Sequence, residues 1–180
     1  MSVPSTNDRI LDAAFAAFAR DPGSSLAEVA AAAGVGRSTV HRAFPTREAL
    51  LDVLARTAAA RIEAAFERAE LQQGPAPEAF GRLLGELLPL ADEFGLLASS
   101  EVWRKPELQA AWEALDGRLT ALVDRGKAEG SLRPELPSML VVDAFAGLVR
   151  SIGCGIADGR IAARTAAPDL LTLLLHGVSR

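Results

Sequence analysis

Apolar residues recur along this chain at the three-and-four spacing of α-helices, and no stretch alternates apolar with polar as a half-buried strand does. Ile10, Leu11, Ala14, Phe15 and Phe18 set the pattern, falling on one helical face. Ser5, with Asp8 three residues on, caps this first helix, and Asp21-Pro22-Gly23 ends it. Ser25-Leu26-Ala27-Glu28 is a capping box that opens a second, short helix, closed by Gly34. A third short helix is predicted from Arg37 to Phe44, with Pro45 after it. Thr46 caps a long fourth helix whose stripe includes Leu50, Val53, Leu54, Ile62, Ala65 and Phe66, and which Gln73-Gly74-Pro75 ends. Prolines then punctuate further helices at 76–89, 91–98, 105–129, 137–158 and 168–179. The expectation is an all-α chain of about nine helices, with a three-helix head over 1–46 and a helical body over 47–180. The boundary falls inside continuous helical packing, with no linker.

The last two long helices depart from this one-sided pattern. Residues 139–157 are apolar on nearly every face, as are Leu170, Leu171, Leu173, Leu174, Leu175 and Val178. By hydropathy 139–157 resembles a membrane span, but Asp143 and Arg150 lie within it, and charges near mid-bilayer are costly. A buried helix explains the run better. A helix apolar all round needs cover on both sides: the bundle core on one, and on the other a second copy of the chain. The alternative is a wholly intramolecular core. Small residues, with Gly153 and Gly155 among them, would permit close helix approach. The residues expected at the dimer interface are Gly147, Ser151, Cys154, Leu171, Leu174, Leu175 and Val178.

Composition narrows the class. With 180 residues, 49% of them hydrophobic, the chain is neither disordered nor too small for a core. A net charge of −4 excludes a sequence-blind nucleic-acid coat protein, so any DNA contact must come from a local cluster. The lone Cys154 forbids an intrachain disulfide, and the N-terminus lacks the basic flank and apolar run of a signal peptide. The expected compartment is the cytoplasm.

The local cluster lies between Ser25 and Phe44. Two short helices joined by a tight glycine turn, Gly34-Val35-Gly36, make a helix-turn-helix. Val29, Ala30, Val40 and Phe44 face inward, and Val35 plugs the angle. The other positions of the second helix, Arg37, Ser38, Thr39, His41 and Arg42, form a polar face suited to a major groove. From Val29 to Arg47 there are three arginines, one histidine and no acid. Arg37 and Arg42 fit guanine edges or phosphates, and Ser38 and Thr39 fit either task. Helix-start amides near Ser25 and Arg47 suit phosphates. The DNA-contact candidates are therefore Ser25, Arg37, Ser38, Thr39, His41, Arg42 and Arg47.

The stretch from Ala33 to Leu51, together with Ile10-Leu11-Asp12-Ala13-Ala14 and Phe18, resembles the TetR family of bacterial repressors over about the first 55 residues. It departs from the family habit in carrying His41 for a tyrosine, Arg47 for a lysine and Gly36 for a serine. Arg47 keeps the charge, His41 donates with a shorter reach, and Gly36 gives up a side-chain cap at a few tenths of a kcal/mol. The resemblance implies a homodimer joined through the final two long helices. It would bind a palindromic operator in double-stranded DNA and be released by a small molecule in the body. The candidate ligand residues are the large side chains of the middle helices: Phe66, Phe94, Leu97, Trp103, Trp112 and Phe145, with Phe80 beside them. Trp103 stands at a Pro-delimited junction next to Arg104. Such a lining favours an apolar or aromatic ligand.

Catalytic chemistry finds no support. Two histidines and one cysteine do not make a metal cluster, no nucleophile–base spacing is present, and no phosphate-cradling loop occurs, so neither enzyme nor cofactor is expected. Asp92-Glu93 reads as a solvated face. Two other functions stay open: a helical small-molecule binder with weakened DNA affinity, and a regulator switched by oxidation of Cys154.

Overall fold

Capping decides where the helices begin. Ser5 accepts from the Asp8 amide at 3.1 Å while its own amide donates to Asp8 Oδ2 at 3.0 Å, so both orphan donors of the first turn are satisfied. Thr46 Oγ1 accepts from the Ala49 amide at 3.1 Å and starts the long fourth helix. The computed structural model describes residues 5–99 and 105–178, apart from the side chains of residues 95, 98, 99 and 176–178. Among the described residues the helices are α1 Thr6–Arg20, α2 Leu26–Ala32, α3 Arg37–Ala43, α4 Arg47–Arg68, α5 Ala76–Leu87, α6 Ala91–Ser99, α7 Pro106–Ala128, α8 Ser138–Ala157 and α9 Ala163–Val178. A 3₁₀ turn, Leu88–Leu90, joins α5 to α6.

Two boundaries differ from the sequence expectation. Helix α4 stops at Arg68, short of the Gln73-Gly74-Pro75 signal, because Glu70 takes a left-handed conformation at φ 46°. Arg82 of α5 supplies the partners this early end requires, donating to the carbonyls of Ala69 at 2.9 Å, Glu70 at 3.1 Å and Gln73 at 2.5 Å. Helix α9 begins at Ala163, so Pro168 lies inside it rather than at its start. A proline there forfeits a backbone bond. The helix passes through regardless, because Ala166 behind the proline and Leu170 and Leu174 beyond it are buried.

One apolar core runs from head to body. It joins Ile10, Phe15 and Phe18 of α1 and Val29 and Val40 of the helix-turn-helix to Leu50 and Leu54 of α4 and onward to α5, α7, α8 and α9. Phe80 and Phe145 meet near its middle with ring centroids 5.5 Å apart. Helix α6 lies between α1 of the head and α8 of the body and packs on both.

Candidate nucleic-acid interface and ligand cavity

The turn between α2 and α3 follows from its residues. Gly34 sits at φ +64°, a left-handed conformation that side chains other than glycine's resist. It lets the Gly34 amide donate to Ala31 O at 3.2 Å and the Val35 amide to Ala30 O at 3.0 Å, the paired bonds of a Schellman close. Arg9 of α1 reaches across and donates to the Ala33 carbonyl at 2.8 Å, pinning the turn to the head. Val29, Ala30, Val40 and Phe44 are buried, and this fixes the rotation of α3. Arg37, Ser38, His41 and Arg42 are consequently exposed, with Thr39 half-buried. Arg37, Ser38 and His41 edge a shallow hollow with Leu26 and Ala27 of α2. As Gly36 implies, α3 begins without a side-chain cap.

Two other candidates are engaged inside the protein. The Ser25 amide donates to Glu28 Oε2 at 2.7 Å, and its hydroxyl bonds the same oxygen at 2.7 Å. Arg47 turns back on the head, donating to the Pro22 carbonyl with its guanidinium 5.0 Å from the Phe18 ring centroid. Both groups are thus held against the head, unlike the exposed face of α3.

In the body, Phe66 of α4, Phe94 and Leu97 of α6, Trp112 of α7 and Phe145 of α8 line one cavity of about 120 Å³. Trp103 lies outside the described residues. Phe80 is fully buried core and does not reach the cavity. The sequence reading missed Asp116, which shares a face of α7 with Trp112 four residues before it and, among the described residues, is the ionisable one in the lining. Burial, and then the charge of Asp143 on α8, push the Asp116 carboxyl above the usual carboxylate range.

Between cavity and head stands an ion-pair hub. Arg61 of α4 donates from Nη1 to Glu93 Oε1 at 2.6 Å and from Nη2 to Asp12 Oδ1 at 2.7 Å, and it lies 5.1 Å from the Phe15 ring centroid. Glu93, expected to be solvated, is only 5% exposed. The next residue along α4, Ile62, and the next along α6, Phe94, both line the cavity.

The family model for bacterial regulatory proteins of the tetR family matches residues 10–54. LfrR of Mycolicibacterium smegmatis, an HTH-type transcriptional repressor, is 38% identical over 133 residues, covering 73% of this chain and 69% of LfrR. The chain belongs to the TetR family. NfxB of Pseudomonas aeruginosa, an HTH-type transcriptional regulator, is 27% identical over 99% of this chain and 97% of its own length. A crystal structure of LfrR from Mycobacterium smegmatis in complex with proflavine superposes with a TM-score of 0.76, at 31% identity over 97% of each chain. The protein is therefore a TetR-family transcriptional regulator with a DNA-binding helix-turn-helix, and not an enzyme.

Within this TetR-family fold, α8 splits into two faces. Val141, Val142, Phe145, Val149, Gly153 and Gly155 are buried in the protomer. A Cβ at Gly155 would come within 2.6 Å of Ile161, so this glycine serves the protomer's own packing. Leu140, Asp143, Ala144 and Ser151 are exposed, and a Cβ at Gly147 would meet nothing within 4 Å. Cys154 is half-buried. On α9, Leu174 is buried in the protomer, Leu171 packs on Gly81 of α5, and Leu175 is half-buried. The side chain of Val178 lies outside the described residues. Met139, Leu140 and Leu173 are 53%, 54% and 58% exposed, the exposed large apolar groups among the described residues; all three lie in the runs read as apolar all round, but none was among the residues expected at the interface. Their phase relative to the core was the missing signal, since an all-apolar helix does not reveal which side faces out.

Proposed function

We propose that this regulator is a ligand-released repressor that acts as a homodimer on a palindromic operator in the cytoplasm. The observation that carries the DNA reading is the exposed face of α3. Arg37, Ser38, His41 and Arg42 project from a helix whose rotation is fixed by buried Val40 and Phe44, within an acid-free stretch of an acidic chain. These residues, with Thr39, contact base edges and phosphates. Ser25 and Arg47 shape the head and add phosphate contacts only by exchanging their present partners.

Helix α8 supports the dimer. It is long and apolar enough to cross a membrane, with a mean hydropathy of 1.7, yet only 33% of that stretch is buried in the protomer. A second copy covering the Leu140, Gly147 and Ser151 face, together with Leu173 of α9, removes that apolar surface from water. A twofold dimer sets two copies of α3 about 34–36 Å apart, one turn of DNA. The cavity is the ligand site, taking a small aromatic or apolar molecule, in keeping with the LfrR structure that holds proflavine. A gel-shift assay with the DNA upstream of the protein's own coding region tests the reading. A shift weakened by Arg37→Ala is expected, and no shift at low salt with any upstream fragment would refute it.

A further inference from the structure

The ligand cavity is aromatic on its walls and acidic at its mouth. Among the described residues, Asp116 is the ionisable one of a lining otherwise made by apolar and aromatic groups such as Phe66, Phe94, Trp112 and Phe145. Asp143, on the neighbouring helix, is near enough for its charge to act on Asp116. Among the described residues neither carboxylate is hydrogen-bonded or ion-paired. Asp12, Asp52, Glu67, Glu86, Glu93, Glu129 and Asp158, by contrast, each hold an arginine or lysine; other surface acids also lack a cation, and what distinguishes Asp116 is its place in the cavity lining. Arg118, a cation beside the cavity, is already committed: it pairs with Glu67 at 2.5 Å and lies 5.4 Å from the centroid of Phe66. Phe66 thus already accepts a cation against its ring.

We propose that the cavity selects organic cations: a flat aromatic body held by Phe94, Trp112 and Phe145, with its positive charge at the mouth against Asp116 and, behind it, Asp143. This rests on reading the cavity as the ligand site. The physical argument is complementarity. Two neighbouring like charges oppose each other, and the low-dielectric wall beneath them strengthens any charge they meet. A cation relieves that opposition, an anion adds to it, and a neutral ring leaves it as it was. Asp143 also explains why the second carboxylate stands outside the lining: it contributes field rather than contact.

The test uses the full chain without DNA and two fluorescent tricyclic probes of similar size, followed by anisotropy at neutral pH. Proflavine carries a positive charge there, and 2-aminoanthracene does not. Proflavine is expected to bind at least tenfold more tightly, and Asp116→Asn to remove that advantage while shifting 2-aminoanthracene by less than about twofold. Added salt narrows the gap between the probes, as screening requires. Because Asp116 lies at the exposed mouth and is destabilised as an anion, the Asn variant should unfold no earlier than the parent, which separates loss of the charge from loss of the fold. If both probes bind equally and Asp116→Asn changes neither, the cation inference falls while the cavity keeps its role. If neither probe binds, the ligand-site reading falls with it.

Discussion

At Arg47 two tasks compete for one guanidinium. Its charge and its place at the start of α4 suit a phosphate, yet it is bonded to Pro22 and stacked on Phe18. Arg47→Ala should therefore lower the thermal midpoint as well as DNA affinity, whereas Arg37→Ala should lower affinity alone. A base-edge contact by Arg37 is worth between about 1 and 3 kcal/mol, and its loss would relax preference at one position of the site. A phosphate contact would instead weaken all sequences alike and flatten the salt dependence, so titrations at several salt concentrations separate the two roles. Ser25→Ala should cost about 1 kcal/mol at neutral pH through loss of the cap. Part of that cost depends on Glu28, whose carboxyl is held below its usual range by the Ser25 amide and then the Ser25 hydroxyl. The folded value is the lower one, so this contribution is present above the unfolded pKa, about 4.3, and is lost as the pH falls through the folded value. Thermal melts of parent and variant should converge partly in acid. The boxes at Ser5 and Ser25 were legible in sequence because both partners lie three residues apart. Arg9, Arg47 and Arg82 were not, since the carbonyls they serve lie 9 to 25 residues away and only the fold brings them near.

Among the elements, α6 joins the cavity to the head. Its Phe94 faces the cavity and the adjacent Glu93 is tied through Arg61 to Asp12 on α1. On the proposed ligand release, a molecule that displaces Phe94 acts on the adjacent Glu93, and the Arg61 hub is the route by which the head would feel it. Arg61→Met should leave Glu93 as an unpaired buried charge. The expected cost is about 2 kcal/mol, less than for a fully enclosed pair because Arg61 is about a third exposed. The double variant Arg61→Met, Glu93→Leu should recover much of that stability yet keep a blunted ligand response. Chemical denaturation and DNA release by proflavine measure the two effects separately. Sequence placed both helices well but read Asp92-Glu93 as a solvated face. An acid pair looks the same whether its partner is water or an arginine 32 residues earlier. Asp116 escaped for the same reason, because an acid on an amphipathic helix reads as surface until the neighbouring helices are in place. The aromatic members of the cavity were legible, since large rings on the middle helices have few other places to go.

For the whole molecule, the proposed dimer rests on the exposed apolar surface of α8. Gly147→Trp projects a large ring where a Cβ meets only open space, so the protomer should fold while its association weakens. Sedimentation would show monomer, and operator affinity would fall steeply because each head alone makes half the contacts. Cys154→Ser should leave the oxidant response unchanged if the thiol serves only as packing. The small residues of α8 were recognised in sequence, but their division between core and surface needed the helix's phase: Gly155 turns in on Ile161, and Gly147 turns out. The central claim is that two copies of α3 read a symmetric site. Selecting binding sites from random double-stranded DNA with the full chain tests it most directly. An inverted repeat with half-sites about one helical turn apart, relaxed at one position of each half-site in Arg37→Ala, is the predicted result. Enrichment of no sequence, or of a motif without twofold symmetry, would contradict it.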